Sequence, residues 1–470
     1  MTDAIRYVCV SDLHLGDKDS ILTRLVDGQH EVDPFRTGDV LEQLVVCLRQ
    51  LIGPSGTRPT LILNGDIVEM AFGEIGQSLM VFERLVRLIL TPGDELFDRL
   101  VYLPGNHDHH VWEIARETQY VQQLLATHHD EGLPGPQHVT PLSLEHAVPS
   151  FLLNQMIRHV RGSAATPGVD VMYPNLALRA AGGDRCVVIH HGHYVESLYH
   201  LFSNARSVLF PRGRRAETIN QLEAENFAWI DFVWSLLGRS GDAGRDVETL
   251  FDMVQYPEQA EAFSNDLAAR IALVRDIPFI PGDKLEYEVL RRAFLFVARK
   301  IAGERGQANE ICTEQTMTGL RRYLLGPTLR QVQEELGAVP EDLAFVFGHT
   351  HKPFERQLAV TDRDRTIDIV NTGGWTVDSR DPAPPKGAAI LVMNDALDLA
   401  SIRIYNDTEP TTVEVELRSP GETATPFVAS LAERIGALSG ALRPEWEELG
   451  RRLTIEVAGR RAYHRERFGT

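Results

Sequence analysis

The stretch IRYVCVSDLHLGD, residues 5–17, breaks off an apolar run, Ile5 to Val10, into an aspartate and a histidine one residue apart. Taken alone, Asp12 and His14 would read as a surface turn after a strand. Four more runs repeat the design. TLILNGDIVE (60–69) ends in Gly65-Asp66, RLVYLPGNHDHH (99–110) in Gly105-Asn106-His107-Asp108, RCVVIHHGHY (185–194) in three histidines, and LAFVFGHTHKP (343–353) in His349 and His351. Short runs rich in Val, Ile and Leu and bounded by Gly or Pro read as strands buried on both faces. Between them, TGDVLEQLVVCLRQLI (37–52), with Thr37 or Asp39 as N-cap, and QSLMVFERLVRLIL (77–90) space their apolar residues for helices. Strands alternating with helices predict an α/β or layered α+β core, whose strand-end loops are free to carry function.

The 470 residues exceed one ordinary domain, so a core with insertions is expected. A hydrophobic share of 43% and a charged share of 24% are those of a soluble globular protein. The net charge of −19 argues against nucleic-acid binding by bulk electrostatics. It says little about a small phosphate site, where a few cations reverse the local sign. Cys9, Cys47, Cys186 and Cys312 form no C-x-x-C pair and read as free thiols of a reducing compartment. With no signal-peptide layout and no apolar run approaching the ~20 residues of a membrane span, a cytoplasmic protein is expected.

From about Tyr194 to Arg330 the rhythm changes to helix-forming sequence, including RAETINQLEAENFAWIDFVWSLLG (215–238), PEQAEAFSNDLAARIALVRD (257–276) and KLEYEVLRRAFLFVARKIAG (284–303). This predicts a helical cap or lid over 194–330 inserted into a core of 1–193 and 331–405. Arg206, Arg212, Arg214 and Arg215 near its start read either as a solvated loop or as a grip on substrate phosphate or an anionic membrane surface. DPAPPKG (381–387) reads as a turn or linker. AAILVMN and LASIRIYND read as a strand pair, and residues 406–470 as a helical extension without a functional motif.

Asp12, His14, Asp66, Asn106, His107, His191, His349 and His351 offer carboxylate, amide and imidazole donors and no thiolate. Residues i and i+2 of an extended chain share a face, so Asp12 with His14, and His349 with His351, can each reach one centre. That inventory suits Mn²⁺, Fe or Zn²⁺, and paired ions form the clamp used for in-line phosphoryl displacement. Among His190, His191 and His193 the residues alone leave the third histidine open. His109 and His110, directly after the site loop, are expected to be solvated.

In order and content, D-L-H, GD, GNHD, H-G-H and GHTH resemble the motifs of the calcineurin-like metallophosphoesterases. The resemblance spans residues 12–351 without the insertion or tail. It implies a four-layer αββα sandwich with a dinuclear site at one end of the sheets. One metal would take Asp12, His14, the bridging Asp66 and His351; the other would take Asp66, Asn106, His191 and His349. His107 would stabilise the transition state or donate a proton, oriented by Glu69, and a hydroxide between the ions would attack phosphorus. His193, Arg212, Arg214 and Arg215 are the expected substrate contacts. SDLHLG, GDIVEMAFG and GHTHKP are also similar to the branch that cleaves UDP-2,3-diacylglucosamine, from which His107 and the larger insertion set this chain apart. The expected activity is hydrolysis of a phosphoester or pyrophosphate, small, nucleotide or lipid-linked, with peripheral membrane contact through the insertion. The alternatives are a nuclease of the same family and a catalytically silent partner-binding scaffold.

Overall fold

The computed structural model describes the chain outside residues 1–3, 55–56, 128–131, 163–166, 201–202, 205, 207–215, 232–310, 312–313, 361–364, 378, 412, 414, 422–424, 437–441 and 469–470. The architecture is α+β, with two mixed sheets. Besides a short hairpin of Leu90–Thr91 with Asp94–Glu95, the strands of the two sheets are β1 (Tyr7–Val10), β2 (Thr60–Asn64), β3 (Arg99–Leu103), β4 (Val148–Pro149), β5 (Val169–Val171), β6 (Asn175–Arg179) and β7 (Arg185–His190). They continue with β8 (Asp342–Phe347), β9 (Phe354–Val360), β10 (Arg365–Asn371), β11 (Ala383–Met393), β12 (Leu399–Asp407) and β13 (Glu416–Arg418). One sheet runs β13-β12-β11-β1-β2-β3-β5-β4 and the other β9-β10-β8-β7-β6. The five motif-bearing runs are β1, β2, β3, β7 and β8, and each is parallel to its motif-bearing neighbours within its own sheet.

Strand alternation assigns the layers. Val8, Val10, Leu61 and Leu63 face one core, packed with α1 (Asp39–Ile52), α2 (Ile75–Ile89), α3 (His109–Ala126), α4 (Phe151–Arg161), α8 (Pro426–Ile435) and α9 (Pro444–Phe468). Their in-between neighbours Cys9 and Ile62 face a second core with Val187, Ile189, Ala344 and Val346 of the other sheet. Cys186, Val188 and Phe345 face a third, covered by α5 (Ile219–Asp231), α6 (Glu314–Tyr323) and α7 (Leu329–Leu336). A strand with both faces dry must be apolar at every position, which is why these runs read as continuous rather than alternating.

Several local expectations are corrected. Neither Thr37 nor Asp39 caps α1. The N-cap is Gly38, where a Cβ would lie 2.1 Å from the Leu22 carbonyl oxygen, and Asp39 pairs instead with Arg24 at 2.7 Å. DPAPPKG is no linker. Strand β11 begins inside it at Ala383, and a register shift between Ala383 and Gly387 takes up the prolines, which cannot donate to a ladder. The segment from 406 is built into the first core: β13 pairs with β12, and Phe427, Leu431, Trp446 and Leu453 of α8 and α9 pack with α1. In the insertion, α5 and α6 pack on the second sheet, and α7 straddles the expected boundary at 330. The helices expected at 257–276 and 284–303 lie outside the described residues. Cys9, Cys47 and Cys186 are buried free thiols. No described helix is long and apolar enough to cross a membrane.

Candidate metal centre

At the ends of these strands the backbone turns sharply. Six non-glycine residues among those described have positive φ: Asp12, His14, Asp66, His349, His351 and Leu397. L-residues rarely adopt this conformation, and it persists where the surroundings over-determine it, characteristically at functional sites. Five of the six are residues the sequence puts forward as metal ligands.

The loops after β1 and β2 run in tandem. The N–H groups of Asp12, His14 and Leu15 donate to the carbonyls of Gly65, Asp66 and Ile67 at 3.0, 2.9 and 2.8 Å. Asp12 is brought to the β8 loop by the His349 N–H, 2.9 and 3.1 Å from its two carboxylate oxygens. Asp66 Oδ1 accepts from the His107 N–H at 2.8 Å, and its Oδ2 lies 3.1 Å from His191 Nε2 and 3.9 Å from His14 Nε2. That carboxylate stands between members of both proposed ligand sets. Asn106 Oδ1 lies 3.1 Å from His191 Nε2.

Three groups here can each hold a metal ion: Asp12, His14 and His351; Asp66, His191 and His349; and His14, Glu69 and His107. Ring tautomers support the first two. His191 Nδ1 sits 3.2 Å from the Asn64 carbonyl, which only accepts, so Nδ1 carries a proton, and Nε2, facing the oxygens of Asp66 and Asn106, is the nitrogen a metal would take once its own proton is displaced. His14 Nδ1 donates to the Glu69 carboxylate at 2.9 Å, and His351 Nδ1 bonds Thr376 Oγ1 at 2.9 Å. Their Nε2 atoms are then 3.3 Å apart. Metal-ligating histidines are held in this way through the opposite ring nitrogen. The fit extends to charge: Asp12 and Asp66 are 0% and 2% exposed, and adjacent buried carboxylates are costly without a cation.

Burial opposes charge on Asp66, yet His191, His107 and His14 outweigh it and hold its carboxyl well below the usual range. Burial likewise disfavours protonated His14 and His191, but the carboxylates of Glu69 and Asp66 around the first, and of Asp66 and Asp12 around the second, raise them to about 10 and about 9. Both values lie above an ordinary imidazole's. In the metal-free chain these pairs therefore stabilise the fold most fully below about pH 6.5, and the contribution is lost as pH rises through 9 and 10. An incoming cation displaces the same protons. Uptake at pH 7 is expected to release about two protons per chain and to tighten as pH rises. Calorimetry in buffers of different ionisation enthalpy reads that proton count, and release of none would contradict it.

Glu69 does more than the sequence assigned to it. Besides His14, it takes His107 Nδ1 at 2.9 and 3.0 Å and the N–H groups of Ala71 and Phe72. One carboxylate thus ties a ligand candidate to the proton-donor candidate. Asp108, to which the motif pattern assigns no role, is buried and accepts from the N–H groups of Ile67 and Gly105 (2.7 and 2.6 Å) and from the Tyr102 hydroxyl, pinning the GNHD loop to the GD loop. Glu196 carries no sequence motif, and its carboxylate lies 3.2 Å from His349 Nε2.

Strand parity separates His190, the last residue of β7, from His191. His190 shares its face with Val188 and Cys186 and is buried beside Tyr323 and Phe345, kept neutral by burial and by nearby His191 and His349. His191 takes the opposite face and meets Asp66. His193, expected to touch substrate, is corrected. It is 0% exposed, with its ring against Tyr194 and Tyr199, and this aromatic packing closes it off. His109, expected to be solvated, is also fully buried, against Tyr173 and Phe227. His110 bonds Glu113 at 2.6 Å. Arg212, Arg214 and Arg215 lie outside the described residues, and Arg206 is exposed and paired with Glu225.

The motif glycines are fixed by close approach. A Cβ on Gly348 would lie 2.2 Å from Asp12 Oδ2, and one on Gly105 would lie 2.3 Å from Asp66 Oδ1. Gly348→Ala is expected to displace Asp12 and to weaken metal retention ~10-fold or more, the scale of losses around metal ligands. Metal content after gel filtration checks it. Comparison with protein families finds no model that matches the chain, and no curated protein matches it.

Proposed function

We propose that the chain is a metal-dependent phosphoesterase with the sandwich of the calcineurin-like metallophosphoesterases, hydrolysing a phosphoester or pyrophosphate in a small or lipid-linked substrate. The observation that carries this reading is the convergence of candidate ligands from five strand ends, five of them in left-handed backbone. Asp12, His14 and His351 would hold one divalent ion and Asn106, His191 and His349 the other, with Asp66 shared. Such ions, when bound, supply Lewis-acid stabilisation of phosphoryl oxygens and an activated water. The protein's own part is to place and move charge. Glu69 fixes the ring of His107, which delivers a proton to the leaving-group oxygen; Asp108 and the Asp12–His349 bond keep the loops from spreading.

Turnover of bis-p-nitrophenyl phosphate and p-nitrophenyl phosphate with Mn²⁺ tests the reading. Hydrolysis should disappear with chelator and return with Mn²⁺. A metal-loaded chain that hydrolyses no member of a phosphoester and pyrophosphate panel would overturn it in favour of a binding scaffold. Cleavage of DNA alone would make it a nuclease.

A further inference from the structure

The run GRRAYHRERF (459–468) reads as a basic tail, yet in α9 it turns inward. Arg460 and His464 are 4% and 2% exposed. Buried charge is costly unless fully partnered, so the partners show what the burial accomplishes. Arg460 Nη2 donates to the carbonyls of Ser20 (3.0 Å) and Thr23 (2.8 Å), and Nη1 to Glu456 (2.9 Å). His464 Nε2 lies 3.1 Å from Asp19 Oδ1 and 3.0 Å from the Val377 carbonyl; since a carbonyl only accepts, this nitrogen carries a proton. His30 Nε2 reaches the same Asp19 oxygen at 3.1 Å.

The two segments gripped in this way are those that hold Asp12, His14 and His351. In 17–23, the Asp17 N–H donates to the His14 carbonyl (2.9 Å) and Ser20 Oγ to the Leu13 carbonyl (2.7 Å). In 375–377, the Trp375 N–H donates to the Asp12 carbonyl (3.0 Å), and Thr376 Oγ1 bonds His351 (2.9 Å). The N–H groups of Ile21 and Val377 staple the segments together through the carbonyls of Trp375 and Asp19, at 2.9 and 3.0 Å. On the other half, by contrast, His191 is braced by the Asn64 carbonyl, and the Glu196 carboxylate lies 3.2 Å from His349 Nε2.

We propose that Arg460 and His464, more than four hundred residues from Asp12, are positioning residues for one half of the centre. They fix the Asp12–His14–His351 triad and leave the Asn106–His191–His349 half to its own braces. The inference rests on the two-ion reading above.

The test compares the full-length chain with His464→Ala and Arg460→Met, loaded with Mn²⁺. Metal per chain and the electron paramagnetic resonance spectrum are read, with circular dichroism as the control for folding. Wild type should hold two ions with an exchange-coupled spectrum. In either variant, affinity at one position should fall ~10–100-fold, leaving a mononuclear spectrum, as expected when the support of a metal ligand is removed. His464→Gln, which keeps an N–H toward Asp19 and Val377, should restore the coupled pair. A folded variant of either residue that keeps two ions and the wild-type spectrum overturns the proposal, as does equal loss from both positions. If His464→Ala does not fold, Arg460→Met decides alone. A wild-type chain that binds no ion overturns the phosphoesterase reading as well.

Discussion

Asp66→Asn is expected to empty both metal positions and reduce turnover at least ~10³-fold, which corresponds to about 4 kcal/mol of lost transition-state stabilisation. The substitution is nearly isosteric, so the His107 N–H still finds an oxygen at the position of Oδ1. What disappears is the negative charge between His14 Nε2 and His191 Nε2, 3.9 and 3.1 Å from Oδ2. A neutral amide cannot serve two cations at once. Asp12→Asn is the control, because Asp12 belongs to one triad only and its loss should empty one position. Metal analysis of the purified variants separates the two patterns. Two tightly held ions in Asp66→Asn would remove the shared role of this carboxylate.

His107→Ala is expected to do the reverse, keeping both ions while turnover falls ~10²–10⁴-fold, the usual span for loss of a general acid. The loss should be steepest on substrates with poor leaving groups, which need the proton most, and slight on p-nitrophenyl esters. Metal retention is expected because Glu69, freed of His107, still holds His14 Nδ1 at 2.9 Å. If metal content collapses instead, His107 belongs with the ligands, as its grouping with His14 and Glu69 would also allow. The slope of log kcat against leaving-group pKa makes the distinction quantitative.

Much of the centre was legible because parallel strands with both faces dry leave a plain signature: apolar runs that stop abruptly in chemistry. Asp12, His14, Asp66, Asn106, His349 and His351 could be named from those stops, and the structure brings them together. Residues that act through burial were not legible. His193 looks like a substrate contact and His109 like a solvated residue, because both follow ligand loops, but Tyr199 packs over the first and Phe227, from a distant segment, over the second. Asp108 and Glu196 look like ordinary acids until their partners, Tyr102 and His349, are seen in space.

The sequence by itself determined which strand ends carry donors, and that these donors are oxygen and nitrogen, because residue type and the two-residue period are local properties. Tertiary structure alone decided which of three histidines turns to Asp66, that one glutamate serves both His14 and His107, and that Arg460 and His464 point inward to loops near residue 20. The reason is physical. Strand parity relative to a core, and the partner of a buried charge, depend on what packs opposite, and that is set by segments hundreds of residues away.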